Sequence, residues 1–185
     1  MRLISGIYGG RIIKTCEGPG YRPATSKVRQ SIFSMLQARG IIWPGLRVVD
    51  MFAGSGSLAI ECLSRGAEEA WFVEKNGKAA RLIKENLKTL KVAPKAARVL
   101  NKDLFHVLKQ TPEKPFGMIF IDPPYGLDLL EPALEKVIKG GWLAEDAFIL
   151  AEVEAGLDFD PESVEGLTVL TDRLYGQTRI ILWQN

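Results

Sequence analysis

From Leu46 onward, short apolar runs alternate with amphipathic stretches, and this pattern restricts the fold more than any other feature of the chain. The apolar runs predict strands over 46–52, 70–74, 97–100, 116–122 and 148–152, with helices between them. Residues 167–171 and 178–183 fit a closing antiparallel pair. We therefore predict an α/β fold with a doubly wound, mostly parallel, Rossmann-like sheet of seven strands. In such sheets ligands bind beyond the carboxyl ends of the strands, where the strand order reverses.

Residues 1–44 precede this alternation and are predicted to form a separate N-terminal extension, with the main domain over 45–185. Two short runs joined by Tyr8-Gly9-Gly10 predict a β-hairpin, and a helix follows after a Gly/Pro-rich loop. Residues 1–49 carry eight Lys or Arg and one acid, a net charge of +7, whereas the remainder carries −5. A basic extension favours an anionic partner, and on charge alone a merely solvated basic surface explains it equally well.

Composition sets broad limits on the function. The 185 residues suit one compact domain with an appendage, and 46% apolar with 25% charged residues is typical of a soluble protein. No apolar run approaches the roughly 20 residues of a membrane span, and the N-terminus lacks a signal-peptide pattern. Cys16 and Cys62 form no metal or redox motif, and His106 is interpreted as structural. We predict a cytoplasmic protein without a metal site.

The first strand leads into a glycine-rich turn that is suited to a cofactor. Asp50 ends the strand, and Gly54 and Gly56 let the backbone approach a ligand that a Cβ would block. The helix that follows offers free backbone N–H groups. Glu74 ends the second strand, where a carboxylate can accept both hydroxyls of a ribose. Asp103 follows the third strand, where its side chain can reach an adenine amine and the Leu104 backbone a ring nitrogen.

The same turn also fits a dinucleotide-binding pattern, G-x-G-x-x-G/A, over residues 54–59. Two features favour S-adenosylmethionine over a nicotinamide dinucleotide. Asp50 would repel a pyrophosphate but suits a sulfonium and an ammonium group. The later strands also lack a second mononucleotide-binding half. A nicotinamide-dependent oxidoreductase remains the rival enzyme class.

The fourth predicted strand ends in Asp122-Pro123-Pro124-Tyr125, which closely matches the [D/N/S]-P-P-[Y/F/W] motif of amino-group methyltransferases. An exocyclic base amine is a poor nucleophile because its lone pair is delocalised into the ring. The Asp122 carboxylate and the Pro123 carbonyl can accept its two hydrogens and direct the lone pair at a methyl group. Tyr125 offers a face for base stacking. The same geometry serves guanine N2 and adenine N6, and an isolated Pro-Pro could simply end the strand.

Four segments together resemble the RsmD-type family of 16S ribosomal RNA guanine-N2 methyltransferases, over essentially the whole chain. The two segments shared by many methyltransferases are those at Asp50 and Asp122. The head Gly6-x-Tyr8-Gly9-Gly10-Arg11-x-Ile13 and the segment from Arg22-Pro23-Ala24-Thr25 to Ile32-Phe33 are the narrower features. The resemblance implies a class I methyltransferase fold, S-adenosylmethionine as cofactor, and a guanine of small-subunit ribosomal RNA, within an assembling or assembled particle, as target.

The site residues that follow from the motifs and the resemblance fall into three groups. The predicted catalytic residues are Asp122, Pro123, Pro124 and Tyr125. The predicted cofactor-binding residues are Asp50, Phe52, Ala53, Gly54, Ser55, Gly56, Glu74, Lys75, Asp103 and Leu104. The predicted RNA-binding residues are Arg11, Arg22, Thr25 and Arg29. We expect a monomer, with adenine-N6 methylation of RNA or DNA as the alternative activity and a noncatalytic nucleic-acid-binding protein as the alternative outside enzymes.

Overall fold

The computed structural model describes residues 1–16 and 26–185, so Arg22, Thr25 and the predicted loop over 17–23 lie outside the described residues. The helices are α1 (Ser26–Ala38), α2 (Ser57–Arg65), α3 (Gly77–Leu90), α4 (Leu104–Val107) and α5 (Leu130–Lys139). The strands are β1 (Arg47–Asp50), β2 (Glu69–Val73), β3 (Ala97–Leu100), β4 (Phe116–Ile121), β5 (Leu143–Glu154), β6 (Thr168–Tyr175) and β7 (Thr178–Gln184).

The strands form one seven-stranded sheet in the order β3-β2-β1-β4-β5-β7-β6. Strands β1 to β5 pair in parallel, and β7 pairs antiparallel with both β5 and β6. The predicted sheet and its C-terminal antiparallel pair are therefore confirmed. Because the order reverses between β1 and β4, the carboxyl ends of these two strands flank the crevice where an open α/β sheet binds its ligand.

The central strands are buried on both faces, because alternate side chains enter two different cores. One core contains Val48 and Phe120 and is covered by α1, α2 and α3. The other contains Val49 and Ile119 and is covered by α4 and α5. Helix α1 buries Ile32, Phe33 and Leu36 in the first core. The N-terminal extension therefore shares the core of the main domain.

The predicted N-terminal β-hairpin forms only in part. Arg2 and Ile12 make an isolated antiparallel bridge, and Leu3 N donates to Arg11 O (2.9 Å). The turn between them bonds to the end of α2 instead, with Ile7 N donating to Ser64 O (2.7 Å). A Cβ on Gly6, whose φ is +79°, would lie 1.7 Å from that same carbonyl oxygen. Docking on α2 thus takes the backbone groups that a regular hairpin would have paired.

A buried charge cluster fixes this docked segment, and it corrects one prediction. The Glu61 carboxylate, fully buried in α2, accepts hydrogen bonds from Ile4 N (2.7 Å), Ser5 N (3.0 Å) and Arg65 Nε (2.9 Å). Arg29 is also fully buried, and its Nη2 donates to Arg2 O (2.7 Å). Burial lowers the pKa of Arg29 while nearby Glu61 opposes that shift. The prediction that Arg29 binds RNA is wrong, because no phosphate can reach a guanidinium enclosed in the protein.

Candidate active site

One cavity of about 780 Å³ lies at the reversal of strand order. Its wall contains thirteen of the fourteen residues predicted to serve the cofactor or catalysis. These are Asp50, Phe52, Ala53, Gly54, Ser55, Glu74, Lys75, Asp103, Leu104, Asp122, Pro123, Pro124 and Tyr125. The parallel strands bring them together, since strands that share one direction end at the same edge of the sheet.

The fourteenth residue, Gly56, stands outside that wall. It has a φ of +75°, and a Cβ there would lie 3.1 Å from the Phe72 ring and 3.2 Å from Ile83. The prediction that Gly56 contacts the cofactor is therefore replaced by a packing role. It lets α2 begin close against the sheet, and thereby holds the glycine turn in place.

Glu74 organises the turn that follows β1. Its Oε2 accepts a hydrogen bond from Gly54 N (2.8 Å) and its Oε1 one from Asn76 N (2.7 Å). Each carboxylate oxygen has a second lone pair, so the side chain retains acceptor capacity toward the cavity. Asn101, which sequence reasoning missed, donates from Nδ2 to Glu74 O (2.8 Å) and Lys75 O (3.0 Å). The position of the Glu74 carboxylate is thus determined from both sides.

Asp103 lies at the cavity rim as the N-cap of α4. Its Oδ1 accepts hydrogen bonds from Phe105 N (2.9 Å) and His106 N (3.3 Å). The cap holds the carboxylate and the adjoining Leu104 backbone in one orientation. An exposed acceptor and a backbone N–H at this point suit the edge of a purine.

The Asp122–Gly126 loop is anchored by two residues that face each other across the β5–β7 ladder. Glu154 and Thr178 are register partners. Glu154 Oε1 accepts from Gly126 N (3.0 Å), and the Tyr125 hydroxyl lies 3.2 Å from Thr178 Oγ1. The Tyr125 side chain is 38% exposed at the cavity mouth. The ring is therefore held by its hydroxyl end while part of it stays accessible to a flat ligand.

Three carboxyl groups with raised pKa values meet in the cavity. Burial raises the pKa of Asp50 to about 7, and Glu74 adds to the shift. Burial likewise raises the pKa of Glu152 to about 7. The pKa of Asp122 is raised well above its usual range by burial, then by Glu152 and Asp50. A site that raises three acid pKa values is typical of a place where cationic or hydrogen-donating ligands bind.

Glu152 is the residue of this group that sequence reasoning missed. It lies in β5, one position beyond Ala151, which is the register partner of Ile121 in β4. The signal was available, since an acid at the carboxyl end of the predicted strand 148–152 matches the pattern that identified Asp50, Glu74 and Asp122. Cys16 was also missed, and it brings the N-terminal segment to the cavity wall.

Metal chemistry has no support in the part of the chain that the structure describes. Within residues 1–16 and 26–185, no group of three or more His, Cys, Asp or Glu side chains could hold a metal ion. Among the helices of the same ranges, none is long and apolar enough to cross a membrane.

The strand order with an antiparallel β7, the glycine turn after β1 and the Asp-Pro-Pro-Tyr loop after β4 define a class I methyltransferase. This sheet differs from the all-parallel dinucleotide fold, which removes the oxidoreductase alternative. The chain belongs to the family described as "Conserved hypothetical protein 95", whose family model matches residues 1–184. The resemblance found in the sequence is confirmed.

Two relatives match the chain over its whole length. It is 39% identical over 186 residues to the Bacillus subtilis protein named "Putative rRNA methyltransferase YlbH", with 100% of this chain and 98% of that protein covered. It is 33% identical over 189 residues to "Ribosomal RNA small subunit methyltransferase D" of Haemophilus influenzae, with 100% and 94% covered. Both are similar to this chain from its N-terminal segment to its last strand.

Solved structures agree with the fold. "Putative methyltransferase yhhF" of Escherichia coli has a TM-score of 0.85 at 32% identity, covering 100% of this chain and 97% of that one. The magnesium protoporphyrin IX methyltransferase of Synechocystis, solved with bound SAM, has a TM-score of 0.63 at 16% identity, covering 86% and 78%. The second similarity is one of fold alone.

Proposed function

We propose that this protein transfers a methyl group from S-adenosylmethionine to the exocyclic N2 amine of a guanine in small-subunit ribosomal RNA. The observation that carries the chemistry is the Asp122-Pro123-Pro124-Tyr125 loop, anchored at the mouth of the cavity that also contains Asp50 and Glu74. The ribosomal target is supported by the relatives named as ribosomal RNA methyltransferases. The proposal implies a cytoplasmic monomer that meets its RNA in an assembling or assembled small subunit.

The cavity fits this cofactor. Asp50 Oδ1 is buried and has no hydrogen-bond partner among the described residues, which suits a cationic ligand group. Glu74 would hold the ribose, Asp103 and the Leu104 backbone the adenine, and the Phe52–Ser55 turn with Lys75 the remaining parts. Bound S-adenosylmethionine supplies an electrophilic methyl group and a positive sulfonium.

The chain's own residues then orient the amine. The Asp122 carboxylate accepts one N2 hydrogen, the Pro123 carbonyl accepts the other, and Tyr125 stacks on the base. Two fixed acceptors direct the nitrogen lone pair into the cavity without reorganisation during the reaction. After transfer the nitrogen is cationic and loses a proton to Asp122, whose raised pKa makes it a better acceptor than an ordinary aspartate. The proton then passes to water.

The decisive experiment is nucleoside mass spectrometry. Small ribosomal subunits that lack the modification are incubated with the protein and labelled S-adenosylmethionine, and the RNA is digested. We expect label in N2-methylguanosine at one position. Label in N6-methyladenosine would instead establish the adenine alternative, and no label in any substrate would establish the noncatalytic one.

The RNA-binding surface that we propose is larger than the N-terminal extension. Helix α3 begins at the cavity, where Asn76 caps it, and it runs about 21 Å away from it. Six exposed cations lie on or beside its outer face: Lys75, Lys78, Arg81, Lys84, Lys88 and Lys91. Residues 11–16 run along the same helix, with Arg11 Nη2 donating to Thr89 O (2.8 Å) and Lys14 N to Asn86 Oδ1 (2.9 Å).

These cations are available to phosphates. Lys14 with Glu85 is the one ion pair that the described residues form on this surface. Thr89 lies at the far end of α3, so Arg11 is about 20 Å from the helix start. Arg11 is therefore proposed to contact a phosphate several nucleotides from the target, rather than beside the pocket. Arg22 and Thr25 keep their predicted RNA role as part of this proposal.

Neutralising three of these cations should weaken RNA binding without affecting the cofactor. The variant Lys78→Gln/Arg81→Gln/Lys84→Gln should lower affinity for the subunit and flatten the log–log salt dependence by about 0.7–0.9 units per lost contact. Binding is measured across a salt series. The matched control is Lys109→Gln/Lys136→Gln/Lys139→Gln, which removes the same charge near α4 and α5 on the opposite face. Equal slopes for the two variants would show that α3 does not contact RNA.

Cofactor affinity should depend on pH in a way that its uncharged product does not. The pKa of Asp50 is about 7 in the free protein, and a sulfonium favours the ionised carboxylate. Affinity for S-adenosylmethionine should therefore rise by up to about 10-fold per pH unit below pH 7 and level off above it, with proton release. S-adenosylhomocysteine has a neutral thioether and should respond much less.

Calorimetric titrations of both ligands between pH 5.5 and about 8.5 test this expectation. The amino group common to both ligands titrates equally, so their difference isolates the sulfonium. Asp50→Asn should abolish that difference, because it removes the titrating group while keeping the side-chain shape. Parallel pH profiles for the two ligands with the wild type would place the sulfonium away from Asp50.

A further inference from the structure

Glu152 is a buried acid in the cavity wall for which the steps above provide no role. Its residue is 3% exposed, and its Oε2 has no hydrogen-bond partner in the ranges that the structure describes. On either side β5 pairs with β4 and β7, and the register partner of Glu152 in β7 is the apolar Ile180. The charged groups that influence it are Asp122 and Asp50, both acids. A carboxylate in such surroundings is costly unless a ligand supplies a donor.

We propose that Glu152 is a specificity-determining residue that accepts a hydrogen bond from ring N1–H of the target guanine. This role rests on the proposed function, because it requires the N2 amine to lie at Asp122. Asp122 and Glu152 directly follow the register partners Ile121 and Ala151, so the two carboxylates lie side by side at the same edge of the sheet. The N1–H and N2–H groups of guanine are adjacent donors on one edge of the base, and two adjacent acceptors match them.

The same carboxylate discriminates against adenine. Beside its exocyclic amine, adenine has an unprotonated ring nitrogen whose lone pair would face Glu152. Two acceptors brought together without a hydrogen repel each other, and a buried polar group left unpaired is the strongest basis for rejecting an analogue. Burial raises the pKa of Glu152 to about 7, and the N1–H donor of guanine would favour the ionised form. Glu152 thereby separates two bases that the Asp-Pro-Pro-Tyr loop treats alike.

The test uses a base that keeps the reacting amine and loses only the contacts at ring positions 1 and 6. Subunits are reconstituted with ribosomal RNA that carries either guanosine or 2-aminopurine riboside at the mapped position. The ratio of kcat/KM for the two substrates is measured by label transfer. The wild type should prefer guanosine by about 100-fold or more.

Glu152→Gln should reduce that preference at least about 10-fold, because an amide can rotate to donate to the unprotonated nitrogen. Glu152→Ala should lower kcat/KM for guanosine about 10- to 100-fold. Glu145→Gln is the matched control, since it makes the same change at an exposed position in the same strand, and it should keep the wild-type ratio. Affinity for S-adenosylhomocysteine should be unchanged in all three variants.

The outcomes separate the two proposals. A wild type that makes N2-methylguanosine, with a Glu152→Gln variant that keeps the wild-type ratio, overturns the role of Glu152 and leaves the proposed function intact. A wild type that methylates only adenosine overturns both. Where Glu152→Ala fails to fold, the isosteric Glu152→Gln carries the test, because its readout is a preference between bases and not an amount of active protein.

Discussion

Asp122→Ala should reduce methyl transfer at least about 100-fold, the effect typical of removing one preorganised group that stabilises a transition state. The residue lines the cavity at the end of β4, and its loop is held independently by Glu154 and Thr178. Cofactor affinity should therefore be retained. Asp122→Asn is the graded comparison, because it keeps one acceptor oxygen and should lose less activity. Single-turnover transfer to subunits at saturating cofactor measures both variants.

The same substitution should make the cofactor-free protein more stable at neutral pH. Burial, Glu152 and Asp50 raise the pKa of Asp122, so the folded state holds a proton that the unfolded state releases. The resulting cost is absent below the unfolded pKa of about 4 and grows as the pH rises toward the folded value. The melting temperature of Asp122→Ala should exceed that of the wild type at pH 8 and equal it below pH 4. An active Asp122→Ala variant would refute the acceptor role.

Glu61→Gln should destabilise the fold by about 3–5 kcal/mol, the cost of breaking a buried ion pair on one side. The carboxylate is fully buried and accepts from Ile4 N, Ser5 N and Arg65 Nε. An amide can replace only part of this, and it leaves the charge of buried Arg29 uncompensated. For a chain of this length the melting temperature should fall by roughly 10 °C.

Glu85→Gln provides the matched control. It also removes a carboxylate that fastens the N-terminal segment, but its pair with Lys14 has side chains 57% and 68% exposed. Exposed pairs typically contribute less than about 1 kcal/mol. Thermal unfolding of both variants compares the two positions directly. Equal, small shifts would mean that the N-terminal segment docks through its apolar residues Leu3 and Ile13 and not through Glu61.

The extent of β5 illustrates what sequence periodicity could not provide. The apolar run predicted a strand over 148–152, whereas β5 covers Leu143–Glu154. Its first residues include exposed Glu145 and Asp146, with Asp146 at a φ of +53°, so they carry no apolar signal. They are strand because β4 offers hydrogen-bonding partners, a property of the neighbour and not of the segment.

The sequence by itself determined the order of strands and helices, the acids at successive strand ends and the Asp-Pro-Pro-Tyr loop. These are local features, because burial on both faces requires continuous apolar runs and ligand contact requires particular residues at their ends. Only the tertiary structure decided which cations face solvent. Arg29 is enclosed with Glu61, while the exposed cations of α3 lie along one helix that leaves the cavity. Charge counts along the chain cannot make this distinction, because exposure depends on which distant segments pack together.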